Sequence, residues 1–430
     1  MPVTLQLALD LLDLDRALHI ADLAVPQGVD WVEAGTPLIK SEGLAAVRRL
    51  RERFPAKKIV ADLKTADAGR VEMEAAAKAG ADYAIVLAAA SESTIREAVE
   101  VGRNYGLGIG VDLLGIEHPE PLVEKLAEWG IAFLSVHCPI DVQMRGGNPF
   151  ALLVRLAKIT PVPLAAAGGL NSETAPQAAA AGAQIVVVGG AIIKAHDPAR
   201  AAADIRKAID TGVGVKTELF RRTGLECVRE VLARVSTANL SDALHHRPAI
   251  MDLKQITPGA KLVGPVITVR TAPGDFAKSV EAIDRAEPGQ TIAIDAGGAP
   301  PAVWGELATE SAIQRKLAGV VIDGGIRDFD EIRRLGFPAH ARIVCSHAGY
   351  PKGFGEIGAP IRLCGVEVFP GDWLVGDADG VVVLAKDNVV EAANRAQDVL
   401  ETENRLRAEI REGRTLSQVA YLEKWEKHRG

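Results

Sequence analysis

From Thr4 to about residue 210, short runs of aliphatic and β-branched residues alternate with segments whose apolar residues recur at helical spacing. The runs are Thr4–Leu11, Val29–Ala34, Lys58–Leu63, Asp82–Leu87, Gly108–Leu113, Phe133–His137, Val162–Ala166 and Gln184–Val188. Between them lie stretches such as STIREAVEVGRNYG and LVEKLAEWG, so each of eight predicted strands is followed by a helix. Glycines at 80, 130 and 182 stand just before the next strand, where a helix C-cap belongs. Parallel strands need crossovers, so this alternation predicts a parallel sheet. Eight units in about 210 residues predict a small (β/α)8 TIM barrel, with a doubly wound open sheet as the alternative.

The pattern changes after DPARAAADIRKAID. Gly212 and Gly214 interrupt the helical period, which places a boundary between residues 211 and 218 and predicts domains at 1–212 and 213–430. Next, ELFRRTGLECVREVLARVSTANLSDAL is helical in period. Strand-like runs follow at Lys261–Arg270, Thr291–Asp295, Gly319–Ile322, Arg342–Cys345, Gly365–Val368 and Gly380–Leu384. A long charged helix, DNVVEAANRAQDVLETENRLRAEIREG, comes after them, its charges a solvated face and some apolar positions left for a partner subunit. The expectation is an α/β chain, a barrel followed by a second α/β domain.

Composition narrows the functions. The 430 residues carry 49 Lys+Arg and 56 Asp+Glu, a formal net charge of −7. An acidic balance with 4% aromatics argues against nucleic acid as a partner, which calls for basic stripes and stacking platforms. No run of about 18 apolar residues predicts a membrane span, and the first residues do not read as a signal peptide. Cys138, Cys227, Cys345 and Cys364 are far apart with no CxxC, as expected of reduced thiols in a cytoplasmic protein.

A barrel concentrates chemistry at the C-terminal ends of its strands. Those ends carry Asp10, Glu33, Asp62 with Lys64, Asp112 and His137, then the pairs Gly168-Gly169 and Gly189-Gly190. Polar strand ends and glycine turns are individually ordinary. Their order around a barrel is what points to a site. Glycine pairs after the last two strands would expose backbone N–H groups to a phosphate, which implies a phosphorylated substrate. Glu33 and Asp62 on neighbouring strands would offer oxygen ligands to a hard cation, Mg2+ or Mn2+. Lys64 and Asp67 add a cation and a further carboxylate, a set suited to stabilising an enediolate. His137 is the natural proton carrier near neutral pH, against the bland reading of a core histidine held by a neighbour.

The motif DLKTAD matches the D-x-K-x-x-D signature of the orotidine-monophosphate-decarboxylase suprafamily. With LALDLLDLDRAL, VEAGTPLIKSEG, IVADLKTADAG and AAGGLNSET, residues 3–210 resemble the 3-hexulose-6-phosphate synthase family. The resemblance implies reversible, Mg2+-dependent aldol condensation of formaldehyde with ribulose 5-phosphate through an enediolate. It implies that Glu33 and Asp62 ligate the metal, His137 moves the C1 proton, Lys64 stabilises the enediolate and Asp67 reaches across a dimer interface. The sister branch, 3-keto-L-gulonate-6-phosphate decarboxylase, leans on an Arg shortly after the His. In HCPIDVQMRGG, Asp141 and Gln143 resemble the synthase pattern, Arg145 lies further along, and Cys138 stands where the family has Thr.

In the second half, Gly305 or Thr309 is a candidate helix start, Arg327 a candidate clamp for a carboxylate or enolate oxygen, Asp328 a candidate cation ligand and Glu306 a candidate general base. The bland reading is a surface ion pair and a turn. GELAT, VVIDGGIRD and GDADGVVVL resemble the ribonuclease-regulator/HMG-aldolase-like (RraA-like) family over about 230–400, with Glu306 in the Asp position of its D-x20-R-D motif. That resemblance implies either a metal-dependent lyase acting on a 2-oxo acid through a pyruvate enolate, or a non-catalytic regulatory module. It also implies trimeric rings, so a homo-oligomer of barrel dimers and C-terminal trimers is expected. The fragments GLGIG and GVG lie outside any Rossmann context, and no methyl-donor site is read from them.

Overall fold

A computed structural model describes residues 2–420. The chain divides into two compact units, residues up to Arg222 together with those from Glu401 onward, and Thr223–Leu400.

In the first unit eight parallel strands close into a barrel in sequence order: β1 (Thr4–Leu9), β2 (Trp31–Ala34), β3 (Lys58–Thr65), β4 (Tyr83–Leu87), β5 (Gly108–Asp112), β6 (Phe133–His137), β7 (Leu164–Ala167) and β8 (Ile185–Val188). Closure is made by β8 against β1, with Thr4 opposite Ile185. The barrel expectation holds, and the open sheet is excluded. Helix starts are capped by side chains where the sequence supplies them: Asp13 accepts from Arg16 N, Ser91 from Thr94 N and Asp197 from Arg200 N. Gly80, Gly130 and Gly182 all take positive φ at helix ends, the conformation that glycine adopts without penalty.

Two apolar layers hold the barrel. One lies between strands and helices and includes Leu5, Leu7, Leu50, Ile59, Val86, Leu126 and Val186. The other fills the interior with Ala8, Val60, Ile85, Phe133, Ala165 and Val187. Trp31 and Tyr83 stack there with centroids 4.4 Å apart, and Phe133 meets Tyr83 edge-on at 5.8 Å. Gly108 and Gly110 make room for these rings: a Cβ at 110 would lie 2.4 Å from Phe133 Cζ.

The glycine seam does not end the first unit. Gly212 caps the helix Pro198–Thr211, but the segment beyond it folds back onto the barrel. Val215 N donates to Ser172 O, Ser172 Oγ donates to Val215 O, and Phe220 is buried within the barrel's core cluster. The contact boundary therefore falls after Arg222 rather than at 212, and the chain returns to this unit at Glu401.

The second unit is built on a mixed sheet. Leu262–Arg270, Thr291–Asp295, Gly319–Ile326 and Ala339–Val344 run parallel. Trp373–Asp377 with Gly380–Leu384 adds antiparallel strands at one side, and Lys254–Gln255 at the other. Ala302–Trp304 pairs with the end of Gly319–Ile326. The single helical stretch expected after the seam is instead two helices, Val228–Arg234 and Thr237–Ala243, divided where Ser236 forms a capping box with Asn239. The long charged helix is Val389–Arg411. No helix of the described residues is long and apolar enough to cross a membrane.

Candidate active sites

The C-terminal ends of the barrel strands surround a cavity of about 340 Å3. It is lined by Asp10, Glu33, Asp62, Lys64, Asp112 and His137, and by Gly168, Gly169, Gly189 and Gly190. Strand alternation explains the set: Gln6, Ala8 and Asp10 face inward from β1 and its end, and Ser135 and His137 from β6. Lys64 sits at φ +48°, within the irregular register between Ala61 and Thr65 of β3. Such irregularities re-aim side chains next to active sites.

A chain of polar contacts runs through the cavity. Lys64 Nζ lies 2.8 Å from Asp62 Oδ2 and 3.1 Å from Asp112 Oδ2. The same Asp112 oxygen lies 3.1 Å from His137 Nδ1. Thr36 Oγ1 is 2.8 Å from Asp62 Oδ2 and steadies that carboxylate from the start of the helix Thr36–Glu42, which follows β2. Burial disfavours the Lys64 ammonium, yet Asp62 and Asp112 outweigh it and hold the pKa above the ordinary lysine value. Burial likewise opposes ionisation of Asp112, but the His137 hydrogen bond and Lys64 keep its carboxyl below the usual range.

Asp10 and Glu33 behave oppositely. Burial first, and then the Asp62 carboxylate, push Asp10 up. Burial followed by Asp62 and Asp10 pushes Glu33 well up. Gln6 Nε2 donates to Glu33 Oε2, while Gln6 Oε1 is buried without a hydrogen-bond partner. Glu33 and Asp62, two buried carboxylates that repel one another, form with the orphaned amide oxygen a hard-oxygen donor set suited to a small divalent cation. Among the described residues no group of three or more His, Cys, Asp or Glu side chains is close enough to hold a metal by itself. Water and substrate oxygens would have to complete the coordination. Glycine at 35 lets Asp10 stand where it does, since a Cβ there would press on Asp10 Oδ1 and lie 2.9 Å from the backbone oxygen of Leu9.

Not every expected residue reaches the cavity. Asp67 is exposed, and its carboxylate accepts from Ala68 N. Within one chain it is not part of the lining. Gln143 lines the site and donates to Cys138 O at 2.7 Å, whereas Asp141 and Arg145 are exposed outside it. Burial raises the Cys138 thiol to about 11, which leaves it a packing group rather than a nucleophile. Asp112 was legible as a strand end, but its bridging of Lys64 and His137 was not. Gln6 carried a signal, a polar residue in register with Asp10 inside an apolar strand. Phe220, also in the lining, carried none.

In the second unit, Glu306, Arg327 and Asp328 are brought together around a cavity of about 190 Å3. Gly305 is the N-cap of the helix Glu306–Gln314. Thr309, the other candidate start, is buried and bonded to Trp304 Nε1 and Gly305 O. Asp328 Oδ2 accepts from Glu306 N at 3.0 Å and lies 3.5 Å from Arg327 Nε. Arg327 N donates to Trp304 O, which fixes the loop to the adjoining strand. A Cβ on Gly305 would lie 2.6 Å from Asp328 Oδ2, so a larger residue there would push that carboxylate aside.

Comparison with known proteins fits both halves. Residues 4–205 match the family model for orotidine 5'-phosphate decarboxylase / HUMPS, and residues 237–383 match the RraA-like model, described as Aldolase/RraA. A 3-hexulose-6-phosphate synthase of Mycobacterium gastri is 40% identical over 205 residues, covering 48% of this chain and 99% of that protein. The Methylomonas aminofaciens synthase is 39% identical over 201 residues, 46% of this chain and 96% of that protein. The RNA-processing inhibitor RraA from Thermus thermophilis, a solved structure, is 31% identical with a TM-score of 0.33, covering 35% of this chain and 93% of that one. The chain therefore belongs, in its N-terminal barrel, to the 3-hexulose-6-phosphate synthase branch of the orotidine 5'-phosphate decarboxylase/HUMPS family, fused to a C-terminal domain of the RraA-like family.

Proposed function

We propose that the barrel catalyses the reversible aldol condensation of formaldehyde with D-ribulose 5-phosphate, giving 3-hexulose 6-phosphate. The observation that carries this reading is the Asp62–Lys64–Asp112–His137 contact chain, set in the cavity of a barrel 40% identical to a 3-hexulose-6-phosphate synthase. His137, oriented by Asp112, takes the C1 proton of the bound ketose. The electron pair left behind forms an enediolate, and the Lys64 ammonium faces its developing negative charge. C1 then attacks the formaldehyde carbon, and the new alkoxide takes up a proton. Glu33 and Asp62, with Asp10 beside them, would hold Mg2+ or Mn2+, which supplies further positive charge to the enediolate oxygens when bound. The loops at Gly168-Gly169 and Gly189-Gly190 would receive the phosphate. Asp67 would act across a barrel dimer.

Gln143 in the lining, with Arg145 outside it, favours this reading over a 3-keto-L-gulonate-6-phosphate decarboxylase. The test is formaldehyde consumption with ribulose 5-phosphate and Mg2+ by wild type and Asp62→Ala. Consumption with a new hexulose phosphate, absent in the variant, supports the proposal. A folded wild type that consumes no formaldehyde, or releases CO2 from the keto-gulonate phosphate, overturns it.

For the C-terminal domain we propose a metal-dependent lyase acting on a 2-oxo acid through a pyruvate enolate. Arg327 would clamp the enolate oxygen, Asp328 would ligate the cation, Glu306 would act as base, and the domain would assemble as a trimer. The convergence of these three residues on one cavity supports it. Oxaloacetate decarboxylation lost in Arg327→Ala is the expected result. No turnover by wild type would favour the regulatory-module reading.

A further inference from the structure

We infer that Phe220, contributed by a segment outside the family barrel, is a wall of the substrate cavity and positions the phosphate-bearing end of the sugar. The inference rests on the reading that the barrel takes a sugar phosphate. The family match ends at residue 205, so Phe220 belongs to the connection that follows it. Its ring nevertheless lines the cavity and is only 8% exposed.

The ring lies on Gly190. A Cβ at that position would fall 2.1 Å from Phe220 Cε2, so residue 190 is glycine because an aromatic ring occupies the space of its side chain. Gly189 and Gly190 begin the turn after β8, the pole of the cavity assigned to the phosphate. Two cations accompany the ring there. Arg222 Cζ stands 4.1 Å from its centroid and Lys194 Nζ 5.6 Å. An apolar wall excludes water from one side of an anion subsite, which strengthens each remaining N–H contact to the anion; neither cation lines the cavity, and both hold the ring from outside it.

The segment is held in this place from both directions. Asn171 Nδ2 donates to Leu219 O at 3.3 Å and to Phe220 O at 3.4 Å, from the loop after β7 that also carries Gly168 and Gly169. Phe220 N donates to Glu401 Oε1 at 3.0 Å, and Glu401 is itself buried. Thr217 N donates to Glu173 Oε1 at 2.9 Å. Phe220 sits at φ +56°, a left-handed conformation uncommon for a bulky residue. A residue stays there only when its surroundings over-determine it, and the Asn171 and Glu401 contacts do so. Glu401 comes from the long helix that follows the RraA-like region. Residues on either side of the fused domain thus complete the wall of the barrel's site.

The experiment uses the full chain with Phe220→Ala, Phe220→Leu, Glu401→Ala and Glu401→Gln, each checked for folding by circular dichroism. Phe220→Ala is expected to raise KM for ribulose 5-phosphate about tenfold, with kcat and the KM for formaldehyde within about twofold of wild type. Phe220→Leu, which keeps an apolar wall, should fall between the two. Glu401→Ala should raise the same KM, and Glu401→Gln, which keeps an acceptor for Phe220 N–H, should restore most of it. An unchanged KM in folded Phe220→Ala, or equal losses in kcat and both KM values, overturns the inference. If wild type turns over neither substrate, the functional reading fails and the wall is judged by hydrogen exchange. The Gly189–Ile193 amides should then exchange at least about tenfold faster in Phe220→Ala than in wild type, and equal rates overturn it.

Discussion

Lys64 is held between two carboxylates, and removing it would strand both. Asp62 is 4% exposed and Asp112 1%, so neither has enough water to replace the ammonium. Breaking a buried ion pair by deleting one partner costs about 3 kcal/mol. Lys64→Ala is therefore expected to lower stability by about that amount and kcat by at least about 100-fold, because the cation also faces the developing enediolate charge. Lys64→Arg keeps the charge but replaces a point donor with a broad planar fork. It should recover much of the stability and little of the activity. Urea titration beside turnover checks both, and a stable, active Lys64→Ala would remove lysine from the mechanism.

Elements differ in how openly the chain announces them. The barrel strands are buried on both faces and separated by amphipathic helices, so composition and period agreed along the whole repeat. In the second unit Ala302–Trp304 has three residues after a Pro-Pro pair, and Trp373–Asp377 contains a glycine and an aspartate, both depleted in strands. Their pairing partners define them: Ala302–Trp304 lies against the end of Gly319–Ile326, and Trp373–Asp377 between Leu262–Arg270 and Gly380–Leu384. The sites follow the same division. Strand-end residues such as Asp10, Glu33, Asp62 and His137 were legible because barrel geometry assigns that end to chemistry. The Asp112 bridge and the Phe220 wall depend on which loops meet in space.

Packing within elements makes two further tests. Gly110→Ala would drive a methyl against Phe133 inside the barrel, and overpacking of this kind costs about 1–3 kcal/mol. A lower urea midpoint is expected, and an unchanged one would mean that the ring layer is loose. Asp275 in the second unit accepts from Ala277 N, Lys352 N, Gly353 N and Phe354 N, tying the helix Ala277–Arg285 to a distant loop. Burial alone would raise this carboxyl, but the backbone donors hold it below the usual range. A depressed pKa makes its stabilisation complete above the unfolded value of about 3.9 and lost as pH falls through the folded value. Asp275→Ala should cost about 2 kcal/mol near neutrality, and the gap from wild type should close on acidification below about pH 4. A gap independent of pH would refute the charge-dependent clamp.

At the scale of the whole molecule, each candidate site draws its residues from one compact unit. Asp10 to His137 belong to the first, and Gly305 to Asp328 to the second. A site supplied by one unit should survive loss of chemistry in the other unless the two are energetically coupled. Asp62→Ala is thus expected to abolish formaldehyde consumption and leave oxaloacetate decarboxylation within about twofold of wild type, and Arg327→Ala to do the reverse. Chelation separates the metal argument from the residue argument. Both proposed cation sites are built on carboxylate oxygens, so EDTA followed by dialysis should silence both reactions, and Mg2+ or Mn2+ should restore both. Barrel turnover that persists after chelation would leave Lys64 as the cation facing the enediolate and would remove Glu33 and Asp62 from metal binding. Crossed losses between the two variants would mean that fusion couples the sites, since neither substitution touches a residue of the other cavity.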